Sequence, residues 1–266
     1  MPEQVDLFDS TYSNFQEQVL AAVRRETFGE DIGQNSWITT DEYDSFYSRL
    51  NLSAGDHILE IASGSGGPAL YLAQKFNCHV TGLDINEEGV KTARQLARAA
   101  NMPRARFQLA DVTQRLPFPQ ETFDAVMCID SANHFGDRLY VLQEWHRVLK
   151  AGRRILFTDP VVITGPVSNE ELAARSSIGF FIFMPLEVTQ RFIQEAGFKL
   201  IQCEDVTGNI ELTSGRWLAA RQKHREDLVR IEGEERFKGL QTFFATVHRL
   251  TSERRLSRFV FVAEKS

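Results

Sequence analysis

The chain has 266 residues, 42% of them hydrophobic and 25% charged, with 17 Gly and 8 Pro, a globular profile that excludes a disordered or collagen-like protein. Thirty basic against 36 acidic residues give a net charge of −6 without a basic stripe, which argues against a nucleic-acid partner. Cys78, Cys128 and Cys203 lie far apart with no CxxC pair, and no His/Asp/Glu cluster has ligand spacing, so neither a disulfide framework nor a metal site is expected.

The apolar run Ile178 to Leu186 is about half of the roughly 20 residues a spanning helix needs, so no membrane span is expected. Met1 to Ser10 carries Glu3, Asp6 and Asp9 and lacks a basic start followed by an apolar stretch; no secretory signal is read there, and a cytoplasmic location is expected. At this length one large α/β domain, or a core carrying a smaller cap, is favoured over two independent domains.

In chain order, Phe15, Val19, Leu20, Val23 and Phe28 recur near helical spacing and predict an amphipathic helix over Phe15 to Phe28. A second helix is predicted from Thr40 to about Leu50, with Asp41 and Glu42 in its first turn. After Gly55 the pattern alternates. Strands are predicted at His57 to Ile61, His79 to Leu83, Arg106 to Leu109, Phe123 to Ile129 and Arg154 to Thr158. Helices between them are predicted at Pro68 to Phe76, Glu87 to Ala100 and Arg138 to Leu149. Such alternation implies a mainly parallel sheet covered on both faces. Beyond Asp159 come a Phe-rich irregular stretch, a helix from Leu186 to Ala196 stopped by Gly197, a strand from Phe198 to Glu204 and a last strand from Arg258 to Ala263. The charged segment Thr213 to Ser252 reads as helices. Residues 1–50 and insertions at about 160–186 and 208–254 are therefore expected to form a helical lid over a domain spanning 51–266.

The most informative words are LEIASGSGGPAL, Leu59 to Leu70. A strand delivers Glu60, and the chain then turns through Ala62, Ser63, Gly64, Ser65 and Gly66 into a helix, where glycine permits close ligand approach and the helix N-terminus attracts an anionic group. Taken alone the turn also satisfies a dinucleotide pattern, or serves as a plain tight turn. Three acids follow in register: Asp84 closes the second strand, where an acid can hold ribose hydroxyls, Asp111 with Val112 closes the third, and Asp130 follows the fourth.

At these residues the chain resembles the class I S-adenosylmethionine-dependent methyltransferases, over about Asn51 to Asp159. The resemblance implies a Rossmann-like, doubly wound sheet of seven strands, whose antiparallel last strand lies between strands five and six. It implies S-adenosylmethionine as cofactor, with Glu60 and the turn Ala62 to Gly66 around its methionine part. Asp84, with Ile85 beside it, would hold the ribose, and Asp111 and Val112 would meet the adenine. The family's usual first loop glycine is Ala62 here, which predicts a tightened but working loop. The words GEDIGQNSW, Gly29 to Trp37, resemble a covering segment of small-molecule members, which would place Gln34, Ser36 and Trp37 on the methionine side; plain packing of Trp37 on the lid is the competing reading. Members acting on phosphoethanolamine carry a histidine comparable to His134 and an N-terminal tyrosine, for which Tyr12 is the nearest match.

Transfer of a methyl group to a small organic acceptor, amine or hydroxyl, is the activity this implies. His134 would then be a general base if the acceptor arrives protonated, and Tyr12 its helper. Asn133 and Asp159 could orient an acceptor, although solvated loop positions are the plainer reading. Phe180, Phe181, Phe183 and Met184 could wall an apolar pocket or be core, and His146 and His224 read as surface residues. The alternatives are a nicotinamide-dependent oxidoreductase and a non-catalytic adenosine-ligand binding protein. The first is disfavoured because Glu60 would repel a pyrophosphate at close range while favouring a sulfonium and an ammonium. A homodimer is compatible with the sequence.

Overall fold

The computed structural model describes residues 8–266; residues 1–7, which hold most of the stretch read for a leader, lie outside it. Three helices come first: α1 (Phe8–Ser13), α2 (Gln18–Phe28) and α3 (Thr40–Arg49). Then follow β1 (His57–Ile61), α4 (Gly67–Lys75), β2 (His79–Asp84), α5 (Glu87–Ala99), β3 (Ala105–Leu109), β4 (Phe123–Cys128), a 3₁₀ turn at Ala132–His134, α6 (Arg138–Val148) and β5 (Leu149–Ile163). The rest comprises α7 (Asn169–Arg175), α8 (Leu186–Glu195), β6 (Phe198–Asp205), α9 (Thr207–Lys223), α10 (Arg225–Glu232), α11 (Glu234–Ser252) and β7 (Leu256–Lys265).

The seven strands form one sheet in the order β3-β2-β1-β4-β5-β7-β6. The first five are mutually parallel, and β7 runs antiparallel between β5 and β6. Every residue of β4 is buried, as a strand covered on both faces requires. One apolar core, on Leu59, Val126, Trp145 and Phe157, lies on one face, and a second, on Tyr43, Phe46, Leu72 and Leu156, on the other. The strand order reverses between β1 and β4, so their carboxyl ends diverge into a crevice where open α/β sheets bind ligands.

Above that crevice the lid has cores of its own. Trp37, Ile178, Ile210, Leu240, Phe243 and Phe244 form one, and Val23, Ala220, Leu228 and Phe237 another. Helix α9 packs on both α2 and α11, so the N-terminal segment and the late insertion build the cover together.

Two boundaries differ from expectation for physical reasons. The helix expected from Phe15 starts at Gln18, and α1 precedes it; Phe15 is buried from a turn, under the Arg24 guanidinium at 4.3 Å, and only mimics helical periodicity. Strand β5 runs far beyond Arg154–Thr158, because Asp159–Pro160 reads as a breaker yet sits at a register shift in the pairing with β7, where proline's missing N–H is tolerated. Among the described residues no helix is long and apolar enough to cross a membrane.

Candidate active site

A cavity opens at the β1/β4 switch point. The glycine turn and Glu60 line its floor, the 129–134 segment one wall, and Trp37, Arg175, Ile178, Phe181 and Phe243 the lid side.

The turn is shaped by close approach. Gly64 has φ +53°, and a Cβ there would stand 2.5 Å from the Tyr12 hydroxyl. At Gly67 a Cβ would meet the Ile32 carbonyl oxygen at 1.9 Å, so the lid segment can lie on α4 only because nothing projects there. Ala62 adopts φ +57°, a conformation costing an L-residue roughly 1 kcal/mol or more, so its methyl group is carried under mild strain. Ser65 Oγ donates to the Gly33 carbonyl at 2.9 Å and fastens the lid segment to the turn.

Glu60 lies at the end of β1 with its carboxylate buried. Tyr43, from α3, donates to Oε1 at 2.9 Å, whereas Oε2 has no partner among the described residues, nor has the buried Ser63 Oγ beside it. Burial pushes the Glu60 carboxyl up to about 7, against the Tyr43 bond, and the negative charge of Asp84 adds to the rise. Asp84 accepts the Gly64 N–H on Oδ2 and the Asn86 N–H on Oδ1, both at 2.8 Å; burial raises its pKa while those bonds oppose the rise. Two buried acids that raise the cost of each other's charge form a place where a cation is welcome. These atoms fit the methionine end of S-adenosylmethionine: an ammonium would supply the donor that Glu60 Oε2 lacks.

The remaining residues expected at the cofactor fall into three groups. Ala62, Ser63, Gly64 and Trp37 line the cavity together with Glu60, while Gly66 starts the helix just behind it. Asp84, Ile85, Asp111 and Val112 stand along the sheet's rim outside the cavity lining. Ile85 is 71% exposed and Asp111 is exposed, bonded to Thr113, so this end is open, while Val112 is buried in the core. Gln34 and Asp130 do something else. Gln34 is buried and spends its amide on the Ile32 N–H and the Glu30 carbonyl, pinning the covering loop instead of facing the cavity.

Asp130 touches the cavity, but its carboxylate is already engaged. Oδ1 binds Arg258 Nε at 2.6 Å and the Thr158 hydroxyl at 2.7 Å, and Oδ2 accepts the Trp37 N–H at 2.9 Å. Arg258 is itself fully buried and holds both oxygens of Glu42 at 2.7 Å. Asn209 and Thr213 donate to the Trp37 carbonyl. Asp130 therefore locks the lid to the sheet. Trp37 lines the cavity, and its indole packs with Trp217, Phe243 and Phe244, as the packing reading expected.

His134 and Tyr12 both line the same cavity. The Phe180 carbonyl, 2.7 Å from His134 Nδ1, can only accept, so Nδ1 carries the proton and Nε2 is the basic nitrogen. Burial lowers the His134 pKa, with the Phe180 carbonyl opposing. Tyr12 is buried, and burial reinforced by the Asp84 charge raises its phenol far above the ordinary value, so it stays a proton donor and not a base.

Asn133 and Asp159 are not solvated. Asp159 forms a buried ion pair with Arg138 at 2.6 Å, and Arg138 also reaches Thr189 and the Ala132 carbonyl. Asn133 is fully buried, its carbonyl accepting the Ile182 N–H. Of Phe180, Phe181, Phe183 and Met184 only Phe181 lines the cavity, and Phe180 is 64% exposed. His146 is half-buried against the Phe198 ring, and His224 meets Glu26 at 2.8 Å.

Sequence reasoning missed Tyr43, Arg175 and Arg258. Tyr43 shares a buried face with Phe46 and Tyr47, a spacing visible in the sequence. Arg175 closes a helix whose first turn is acidic, which reads as an ordinary dipole complement. In the structure it is 2% exposed, its Nη1 has no partner among the described residues, and its guanidinium lies over Phe181, Phe243 and Trp37 at 4.8, 5.2 and 5.9 Å.

Comparisons with known proteins agree with this geometry. A family model described as a methyltransferase domain matches residues 58–152. The chain is 30% identical over 211 residues to 27-O-demethylrifamycin SV methyltransferase of Amycolatopsis mediterranei, covering 74% of this chain and 76% of that one. It is 31% identical over 199 residues to glycine/sarcosine/dimethylglycine N-methyltransferase of Actinopolyspora halophila, of whose length it spans 33%. The cyclopropane synthase MmaA2 of Mycobacterium tuberculosis shares the fold, with TM-score 0.82 at 18% identity and 97% of each chain covered. The sheet order, the acid-flanked glycine turn and the coverage of the first relative place the chain: it belongs to the class I S-adenosylmethionine-dependent methyltransferases that act on small molecules.

Proposed function

We propose that the cavity holds the cofactor's methionine end on Glu60, Ser63 and Gly64, with the ribose on Asp84, and methylates a hydroxyl group of an apolar-bodied small acceptor seated between His134 and the aromatic lid. The observation that carries this is the pairing of two features in one cavity: an unpartnered, buried Glu60 Oε2 on the floor and a neutral imidazole on the wall.

The bound cofactor supplies a methyl group already activated by sulfonium charge. The chain's residues have to align an acceptor, exclude water and take a proton. His134, held in one tautomer by the Phe180 carbonyl, has a basic Nε2 for an acceptor hydroxyl. Tyr12, kept protonated, orients by donating. The hydrophobic lid residues keep the site dry. A cationic amine is disfavoured because Arg175 already occupies the aromatic faces that would receive it.

The reading includes no nucleic-acid partner, given the net charge of −6, and a reducing, cytoplasmic setting, which the three free cysteines suit. A homodimer is compatible with it. The test is incubation with isotopically labelled S-adenosylmethionine and a panel of phenols, hydroxylated acids and amines, with mass analysis of products. Label in phenolic or hydroxyl products supports the proposal; label confined to amines overturns it.

A further inference from the structure

Arg175 is the single arginine or lysine on the cavity lining among the described residues. It is buried, its Nη1 is unpartnered, and no carboxylate among the described residues comes within salt-bridge distance. The nearest acids are already committed. Asp130 is held by Arg258 and Asp159 by Arg138, and their charges reach Arg175 only through space. Burial lowers the Arg175 pKa to about 9, which still leaves it charged at neutral pH.

The guanidinium is also deliberately placed. A capping box on Ser168 and Glu171 starts α7, and Arg255 grips both carboxylate oxygens of Glu171 at 2.7 Å. Arg175 follows one turn later, with its guanidinium over three aromatic rings. A cation desolvated this far without an anion lacks the partner its chemistry calls for.

We infer that the acceptor carries a carboxylate that seats on Arg175, with its hydroxyl presented to His134. This rests on the reading of the cavity as the methyl-acceptor site. A monoanion matches one fixed charge, and a planar carboxylate matches a guanidinium fork between aromatic faces. A phosphate dianion would leave one charge uncompensated in a cavity whose histidine is neutral and whose floor is acidic.

The test uses the full chain loaded with S-adenosylhomocysteine. Calorimetry measures binding of salicylate, 4-hydroxycinnamate and 1-hydroxy-2-naphthoate, of their methyl esters, and of 1-naphthyl phosphate. At least one acid is expected to bind ten-fold or more tighter than its ester and than the phosphate. Arg175→Met should abolish that preference, Arg175→Lys should keep part of it, and neither should change affinity for S-adenosylhomocysteine. Esters binding as well as acids, the phosphate binding tightest, no acid binding, or a preference that survives in Arg175→Met would each overturn the inference. Should Arg175→Met not fold, the acid-to-ester ratio of the parent decides alone. Failure of the underlying site would show differently, as absent binding of S-adenosylhomocysteine itself.

Discussion

Replacing Glu60 by glutamine separates what this residue costs the fold from what it does for the ligand. Burial pushes its carboxyl up to about 7, with the Tyr43 bond opposing and Asp84 assisting, whereas in the unfolded chain it ionises near 4.5. Between those values the native state holds the extra proton, so stability falls as pH rises across the window, and the loss is complete above about 7. At 1.36 kcal/mol per pH unit the interval amounts to roughly 3 kcal/mol. Glutamine is isosteric and stays neutral, and its carbonyl can still accept the Tyr43 hydroxyl. Without cofactor, Glu60→Gln should therefore match the parent at about pH 4 and exceed it by up to ~3 kcal/mol at pH 8.5, a rise in Tm of about 6 °C for a chain of this size. Affinity moves the other way: S-adenosylhomocysteine keeps the ammonium and should bind about 2 kcal/mol more weakly, roughly 30-fold. Differential scanning calorimetry with and without that ligand at the two pH values measures both. A variant less stable than the parent at pH 8.5, or one with undiminished affinity, would refute the reasoning.

Asp84→Ala is expected to weaken S-adenosylhomocysteine binding by about 2 kcal/mol or more, since charged hydrogen bonds are lost; unchanged calorimetric affinity would remove Asp84 from the cofactor site. Gly67→Ala drives a methyl group into the Ile32 carbonyl, so we predict a loss of about 1–3 kcal/mol in urea unfolding together with weaker cofactor binding; a neutral effect on both would show that the covering loop is not seated as described. His134→Ala should slow methyl transfer roughly 100-fold or more with cofactor affinity nearly intact. Because burial lowers the His134 pKa, the parent's rate should already be level at pH 7 and fall only in acid; a rate still climbing steeply from pH 7 to 8 would exclude this histidine as the base.

Much of the sheet was legible because its signals are local. The 57–61 strand, the glycine turn and the acid at the end of β2 occupy consecutive words, and alternation of strand and helix fixes a parallel order without distant information. What escaped depends on partners far apart in sequence. Asp130 looked like a free acid at a strand end, yet its partner Arg258 comes from β7 and brings Glu42 of α3 with it. Asp159 and Asn133 looked solvated because polar residues after a strand usually are, and only the fold shows that Arg138 of α6, bonded to Thr189 of α8, closes over Asp159 while Ile182 bonds the Asn133 backbone. The adenine end remained an expectation of position, because Asp111 and Ile85 are exposed and nothing in their surroundings singles them out.

Three buried arginines carry these two kinds of role, and their energetics should differ in sign. Arg258 and Arg138 are each ion-paired with buried carboxylates, so Arg258→Ala strands Asp130 and Glu42 in a low-dielectric interior and should cost about 3–5 kcal/mol. Arg175 has no carboxylate to strand. Its three aromatic contacts, each worth about 0.5–2 kcal/mol, only partly offset the several kcal/mol of desolvation a buried cation incurs. Methionine fills similar space without that penalty, so Arg175→Met should leave the unliganded chain as stable as the parent or more so. Urea unfolding of both variants decides the matter. Equal, large destabilisation by the two substitutions would mean that Arg175 holds the lid together, as Arg258 does; the predicted divergence would mark it as a charge kept against the fold's own interest, which is how ligand-binding groups differ from structural ones.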